Sequence, residues 1–85
     1  MRGGAKKAKK IVAIDFFCGA GGVTRGLRDA KIQVVAGIDI EEDFEKTYTS
    51  NNPGSKYINK NISAVSRYEL EELLAPLNYD HLMFS

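Results

Sequence analysis

The chain has 85 residues, a net charge of +1, 44% hydrophobic and 27% charged side chains, one cysteine and one histidine. This is the length of one small domain with an ordinary globular composition, and no stretch approaches the ~20 apolar residues of a membrane span or the core of a secretory signal. A single cysteine excludes an internal disulfide, and Cys18 with His81 cannot cage a metal by themselves.

Charge is placed unevenly. Residues 1–10 carry Arg2, Lys6, Lys7, Lys9 and Lys10 and no acid, whereas residues 11–85 hold 7 basic and 11 acidic side chains, a net −4. The first ten residues therefore read as a basic, disordered leader, and the mildly acidic remainder does not look like a DNA-gripping surface on its own. Residues 10–16 read as a first strand buried on both faces, and 19–22 as a glycine turn. Residues 23–30 read as a helix with Val23, Leu27 and Ala30 on one face, and Gly26 as a small residue that lets it approach the sheet. Residues 33–39 form a second strand. A second helix runs from 41 or 42 to 50, with acids in its first turn and Phe44 and Tyr48 on its apolar face. The run Asn51, Asn52, Pro53, Gly54 ends it. A short third strand covers 55–58 and a loop covers 59–66. Ser66 caps a third helix with Glu69 at capping-box spacing; Leu70, Leu73, Leu74 and Leu77 form its core stripe, and Pro76 stops it. A fourth strand covers 80–84. Alternating strands and helices imply right-handed crossovers and a parallel sheet. Ligands of such sheets bind beyond the carboxyl ends of the strands, which brings 15–22, 39–40 and 59–62 to one edge.

The turn Asp15-Phe16-Phe17-Cys18-Gly19-Ala20-Gly21-Gly22 is the strongest local signal, a strand ending in a carboxylate and glycines before a helix. A helix entry of this kind offers N–H groups and the positive end of its dipole to an anionic ligand. It is not the dinucleotide fingerprint, since Thr24 stands where the third glycine belongs, and it lacks the Lys-Ser/Thr ending of a P-loop. A plain glycine turn without ligand, and a fragment of a dinucleotide-binding oxidoreductase, remain alternatives at this level. Asp39, at the end of the second strand, suits ribose hydroxyls in either nucleotide reading, or a helix-capping role.

The same stretch resembles the first motif of the DNA cytosine-5 methyltransferases, D-x-F-x-G-x-G-G. The resemblance continues through Thr24-Arg25-Gly26-Leu27, Val34 to Ile40, Thr47-Tyr48, Asn51-Asn52-Pro53, Asn61-Ile62 and Asp80 to Ser85, nearly everything after the leader. It implies the N-terminal part of a Rossmann-like, S-adenosylmethionine-dependent methyltransferase fold, of the restriction–modification kind, located in a bacterial or phage-infected cytoplasm or at the nucleoid. It implies S-adenosylmethionine as cofactor. Gly19, Ala20, Gly21 and Gly22 would hold its methionine end, with Asp15 orienting and Thr24 capping or touching that end. Phe17 and Ile40 would cover the adenine, Asp39 would take the ribose, and Asn61 and Ile62 would border the base. Phe16 is the better candidate for core. Cys18 falls at the variable, small position of the motif and is expected as a buried side chain lining the site, not as a nucleophile. Asn61 departs from the family's aspartate and would accept from the adenine amino group through its carbonyl, without charge.

The family attacks carbon 6 of a flipped-out cytosine with a cysteine thiolate in a Pro-Cys loop, which makes carbon 5 nucleophilic. That cysteine is expected beyond Ser85, so none of these residues is catalytic. The 85 residues alone are expected to be inactive, with DNA reached through a downstream domain. A fragment of a longer enzyme, one chain of a split methyltransferase with a complementary partner chain, a truncated product and a non-catalytic interaction module are the competing readings. A tRNA cytosine-5 methyltransferase is a further variant. The last strand is expected as an exposed edge bearing Leu82, Met83 and Phe84, prone to association.

Overall fold

The structure is a computed structural model that describes residues 9–85; most of the basic leader lies outside them. Four short apolar runs form strands β1 (Ile11–Phe16), β2 (Gln33–Asp39), β3 (Lys56–Asn59) and β4 (His81–Phe84), in the sheet order β3-β2-β1-β4. Every neighbouring pair is parallel. Parallel neighbours need long crossovers, and helices α1 (Gly22–Asp29), α2 (Glu45–Asn51) and α3 (Arg67–Leu74) lie within them. The architecture is thus the expected α/β, Rossmann-like one. Its common strand direction brings Phe16, Asp39 and Asn59 to the same edge of the sheet.

β1 lies between β2 and β4, so Val12, Ala13, Ile14 and Asp15 are all buried. Alternation along the strand points Ile14 and Asp15 to opposite faces. Ile14 joins Ala36, Ile38 and Ile58 in an apolar core, against which Phe16, Val65, Leu70, Leu73 and Leu74 pack. Leu70, Leu73 and Leu74 of α3 are thus half-buried against the core, as their spacing implied, whereas Leu77 lies beyond the helix and outside this cluster. Ser66 caps α3 by accepting from the Glu69 N–H at 3.0 Å. The Glu69 carboxylate does not close the capping box; it pairs with Lys60 at 3.0 and 3.1 Å. A second buried cluster contains Cys18, Tyr48 and Tyr57.

Several expectations need correction. The buried residue of α1 is Thr24; Val23 is 56% exposed and Ala30 is exposed too. Hydrogen bonding orients this short helix more strongly than its apolar residues do, because the Thr24 hydroxyl finds two buried partners. Gly26 faces open space, so its small size serves no packing. The single second helix is a 3-10 turn, Glu42–Phe44, followed by α2, and Tyr48 is its buried residue while Phe44 is 37% exposed. The third strand sits one residue later than expected. The 59–66 loop contains a further 3-10 turn, Ile62–Ala64. β4 is one of the two edge strands, with Met83 and Phe84 exposed and Leu82 half-buried. Phe84 stacks on Phe16 with ring centroids 5.5 Å apart.

Candidate functional site

The carboxyl ends of β1, β2 and β3 surround an open cleft of about 280 Å³ lined by Phe17, Ile38, Asp39, Ile40, Lys60, Asn61 and Ile62. Five of these seven residues were expected at the site from sequence; Ile38 and Lys60 were not.

Phe17 begins the turn. Its φ of 58° is left-handed, a conformation that bulky side chains resist, and its ring is 74% exposed on the cleft wall. A strained backbone that puts an aromatic ring into solvent beside a cleft is a feature of ligand sites. Ile40 and Ile62, both exposed apolar residues, line the same cleft. Together the three offer flat apolar contact to a planar group.

Asp39 joins the glycine turn to the β2 loop. Its Oδ2 accepts from the Gly19 N–H and its Oδ1 from the Glu41 N–H, each at 2.9 Å. Neither the 3-10 turn 42–44 nor α2 carries a side-chain cap, so the helix-capping reading of Asp39 fails; its bond to Glu41 folds the loop ahead of that turn. Two of its roughly four lone-pair directions are used locally and the others remain for a ligand. β3 braces the same loop. Asn59 Nδ2 donates to the carbonyls of Asp39 and Ile40 at 3.2 and 2.9 Å, and the Tyr57 hydroxyl donates to the carbonyl of Glu41. Sequence reasoning placed Asn59 in a loop and missed this brace, whose local signal is an amide side chain at a strand end.

The glycine turn is shaped from beneath. Gly19 and Gly21 have φ of 54° and 102°. Gly21 precedes α1 and its N–H donates to the Cys18 carbonyl at 2.9 Å. The N–H groups of Ala20, Gly22 and Val23 find no acceptor among the described residues, so the helix entry keeps donors for an anionic group.

Asp15 and Thr24 point inward, away from the roles at the methionine end read for them. Asp15 Oδ2 accepts from Thr24 Oγ1 at 2.6 Å, and Thr24 makes no side-chain cap. Thr24 also bonds the Tyr48 hydroxyl at 3.0 Å, and Tyr48 bonds Ser55 Oγ at 2.6 Å. Cys18 is buried; desolvation first, then the nearby Asp15 and Asp39 carboxylates, push its thiol up to about 12. A thiol so disfavoured as thiolate is no nucleophile.

Asn61 is bound differently from expectation. Its Oδ1 accepts from both Ser63 N (2.9 Å) and Ser63 Oγ (2.8 Å). Both lone pairs of the carbonyl are thereby used, and the amide Nδ2 is the polar atom of Asn61 left without a partner among the described residues.

A family model of C-5 cytosine-specific DNA methylases matches residues 11–84. The chain belongs to this family. The type II methylase M.HgiDII of Herpetosiphon aurantiacus is 43% identical to this cytosine-5 methylase chain over 60 residues, 71% of the chain and 17% of M.HgiDII. The chain thus spans about a sixth of the length of that relative. Among solved structures, an Escherichia coli prophage protein assigned as a DNA modification methyltransferase superposes with a TM-score of 0.74 at 21% identity. It covers 88% of this chain and 22% of that one. DNMT2 of Spodoptera frugiperda gives 0.67 at 19% identity, with the same coverage of each chain. A TehB-like SAM-dependent methyltransferase of Corynebacterium glutamicum gives 0.63 at 15% identity, covering 93% and 39%. These structural likenesses establish the fold. Among the described residues no helix is long and apolar enough to cross a membrane.

Proposed function

We propose that the chain binds S-adenosylmethionine and is the cofactor-binding part of an enzyme that methylates carbon 5 of cytosine in DNA. The observation that carries this reading is an aromatic wall and an incompletely used carboxylate on one cleft, with that carboxylate bonded to the glycine turn whose further N–H groups have no acceptor among the described residues. The adenine would lie between Phe17 and the Ile40–Ile62 side, the ribose hydroxyls on Asp39, and the methionine carboxylate at the entry of α1. Ile62 and the Asn61 amide would border the base edge. The donor set fits the group, since the ribose hydroxyls would meet a carboxylate, the methionine carboxylate would meet N–H donors and the flat base would meet apolar contact.

When bound, the cofactor supplies an electrophilic methyl group. The chain's own residues bind and orient. Asp39 holds the ribose while keeping the glycine turn and the β2 loop in register. Phe17 covers one base face and excludes water from it. The buried, protonated Cys18 takes no part in the chemistry. The attacking cysteine, the DNA contacts and any complementary chain would belong to parts of the enzyme outside these 85 residues.

Calorimetric titration with S-adenosylmethionine and separately with NAD, repeated on Asp39→Ala, tests the reading. Saturable binding of the methyl donor alone, weakened in a variant that remains folded by urea melting, is expected. Preference for NAD, or no binding of the methyl donor by the folded chain, would refute it.

A further inference from the structure

The sequence singles out Thr47-Tyr48 and Asn51-Asn52-Pro53, yet the cleft uses none of them. Tyr48 is fully buried, beneath the glycine turn and β2. A Cβ on Gly21 would strike Tyr48 Cδ2 at 2.9 Å and Asn52 Nδ2. A Cβ on Gly37 would come within 2.6 Å of the Tyr48 hydroxyl and 2.7 Å of the Cys18 sulfur. Two glycines thus leave room for one tyrosine, and that tyrosine joins three other polar side chains into a series of four.

The direction of the series is fixed. Thr24 donates its single hydroxyl proton to Asp15 Oδ2, so in the Thr24–Tyr48 bond the tyrosine must be the donor. The tyrosine proton is then spent, so in the Tyr48–Ser55 bond Ser55 must donate. Protons point one way, Ser55 to Tyr48 to Thr24 to Asp15. All four residues are buried, and hydrogen bonds in such a chain polarise and strengthen one another. One end is Ser55, ahead of β3 and away from the cleft. The other end is Asp15, on the strand that leads into the turn, with Thr24 in the first turn of α1.

We propose that Tyr48 is a positioning residue. Through the one-way chain Ser55–Tyr48–Thr24–Asp15 it fixes where α1 begins, and so holds the Gly19–Gly22 turn in the shape that receives the methionine end of the cofactor. The affinity part of this inference rests on the cofactor reading above; the mechanical part does not. Tyr48 touches no ligand. It acts by tying Thr24 to a group on the far side of the fold.

The test uses the full chain, with Tyr48→Phe, Ser55→Ala and the double variant. Amide NMR spectra are recorded without ligand and calorimetric titrations with S-adenosylmethionine. Ser55→Ala removes a donor outside the turn and leaves Tyr48 able to donate to Thr24. It is expected to shift the amide signals of Gly21, Gly22 and Thr24 and to weaken binding by about threefold. Tyr48→Phe is expected to weaken binding by about tenfold, the worth of one buried hydrogen bond. The double variant is expected to bind no worse than Tyr48→Phe, because Ser55 acts through the tyrosine. If Ser55→Ala moves only signals adjacent to residue 55, the chain transmits nothing and the proposal falls, whether or not Tyr48→Phe folds. If both variants lose thermal stability but bind like the wild type, Tyr48 is a packing residue only. Turn signals that shift on Ser55→Ala in a chain that binds no methyl donor would keep the mechanical coupling and overturn the cofactor reading.

Discussion

Alanine at each of three glycines separates backbone strain from crowding. Gly21 has φ of 102° and its Cβ would run into Asn52 and Tyr48. Gly19 has φ of 54° and open space around it. Gly37 has no positive φ but would crowd Tyr48 and Cys18 at 2.6–2.7 Å. A left-handed alanine costs about 1–2 kcal/mol, and forcing an extra carbon into a packed interior about 1–3 kcal/mol. The smaller freedom of the unfolded alanine chain offsets roughly 0.4–1 kcal/mol of either. Gly21→Ala should therefore lose about 2–4 kcal/mol, Gly37→Ala about 1–2 kcal/mol and Gly19→Ala about 1 kcal/mol or less. A domain of this length has on the order of 4–13 kcal/mol in total, so the first loss is a large share. Urea unfolding measures all three from their midpoints, with slopes unchanged. Equal losses at Gly19 and Gly21, or a neutral Gly37→Ala, would show that Tyr48 does not sit beneath these positions, and the argument built on it would fail.

Phe17→Gly relieves the left-handed strain and should leave the chain as stable or more stable by about 1 kcal/mol, while S-adenosylmethionine binding weakens; loss of stability with intact binding would contradict the reading of Phe17. Asn61→Asp adds a second acceptor oxygen where the amide nitrogen now stands. Charged hydrogen bonds exceed neutral ones by about 1 kcal/mol, so affinity for the cofactor should rise roughly fivefold in calorimetry. Burial pushes the Cys18 thiol from 9.0 to about 12 and the Tyr57 hydroxyl from 10.0 to about 12, with Tyr48 also raised. The folded state then holds protons that the unfolded state releases, so stability is full below pH 9 and falls as pH rises from there towards 12. Urea midpoints across that window should decline, and less steeply in Cys18→Ala. Thiol labelling at pH 8 should likewise proceed only as fast as the chain opens.

Element order was legible because strand runs, glycine turns and the Ser66 cap are local signals. β2 begins and ends where its residues indicated, and the leucines of α3 reached the core. What lay outside local pattern was lost. Val23 looked like a packing residue and Thr24 did not, because apolar spacing carries no information about a hydroxyl whose partners sit on β1 and α2. Tyr48 was legible as buried and as part of a motif, but its bonds to Thr24 and Ser55 span 24 and 7 residues. Asn61 was found by resemblance, yet only the 3-10 turn after it shows that Ser63 occupies its carbonyl. Lys60 and Asn59 join the site through contacts with Glu69 and the β2 loop that follow from the fold.

Within a lineage, the three hydroxyl residues of the chain, Ser55, Tyr48 and Thr24, would drift as a set. Loss of the tyrosine hydroxyl leaves a serine proton with nowhere to go and a threonine with an empty acceptor, both in the dry interior. Each step of divergence is then penalised until its neighbour changes too. Relatives that carry phenylalanine at the Tyr48 position should have replaced the serine by alanine or glycine, and the threonine by valine, more often than chance allows. The glycine turn would thus carry its history in three positions that the cofactor does not meet.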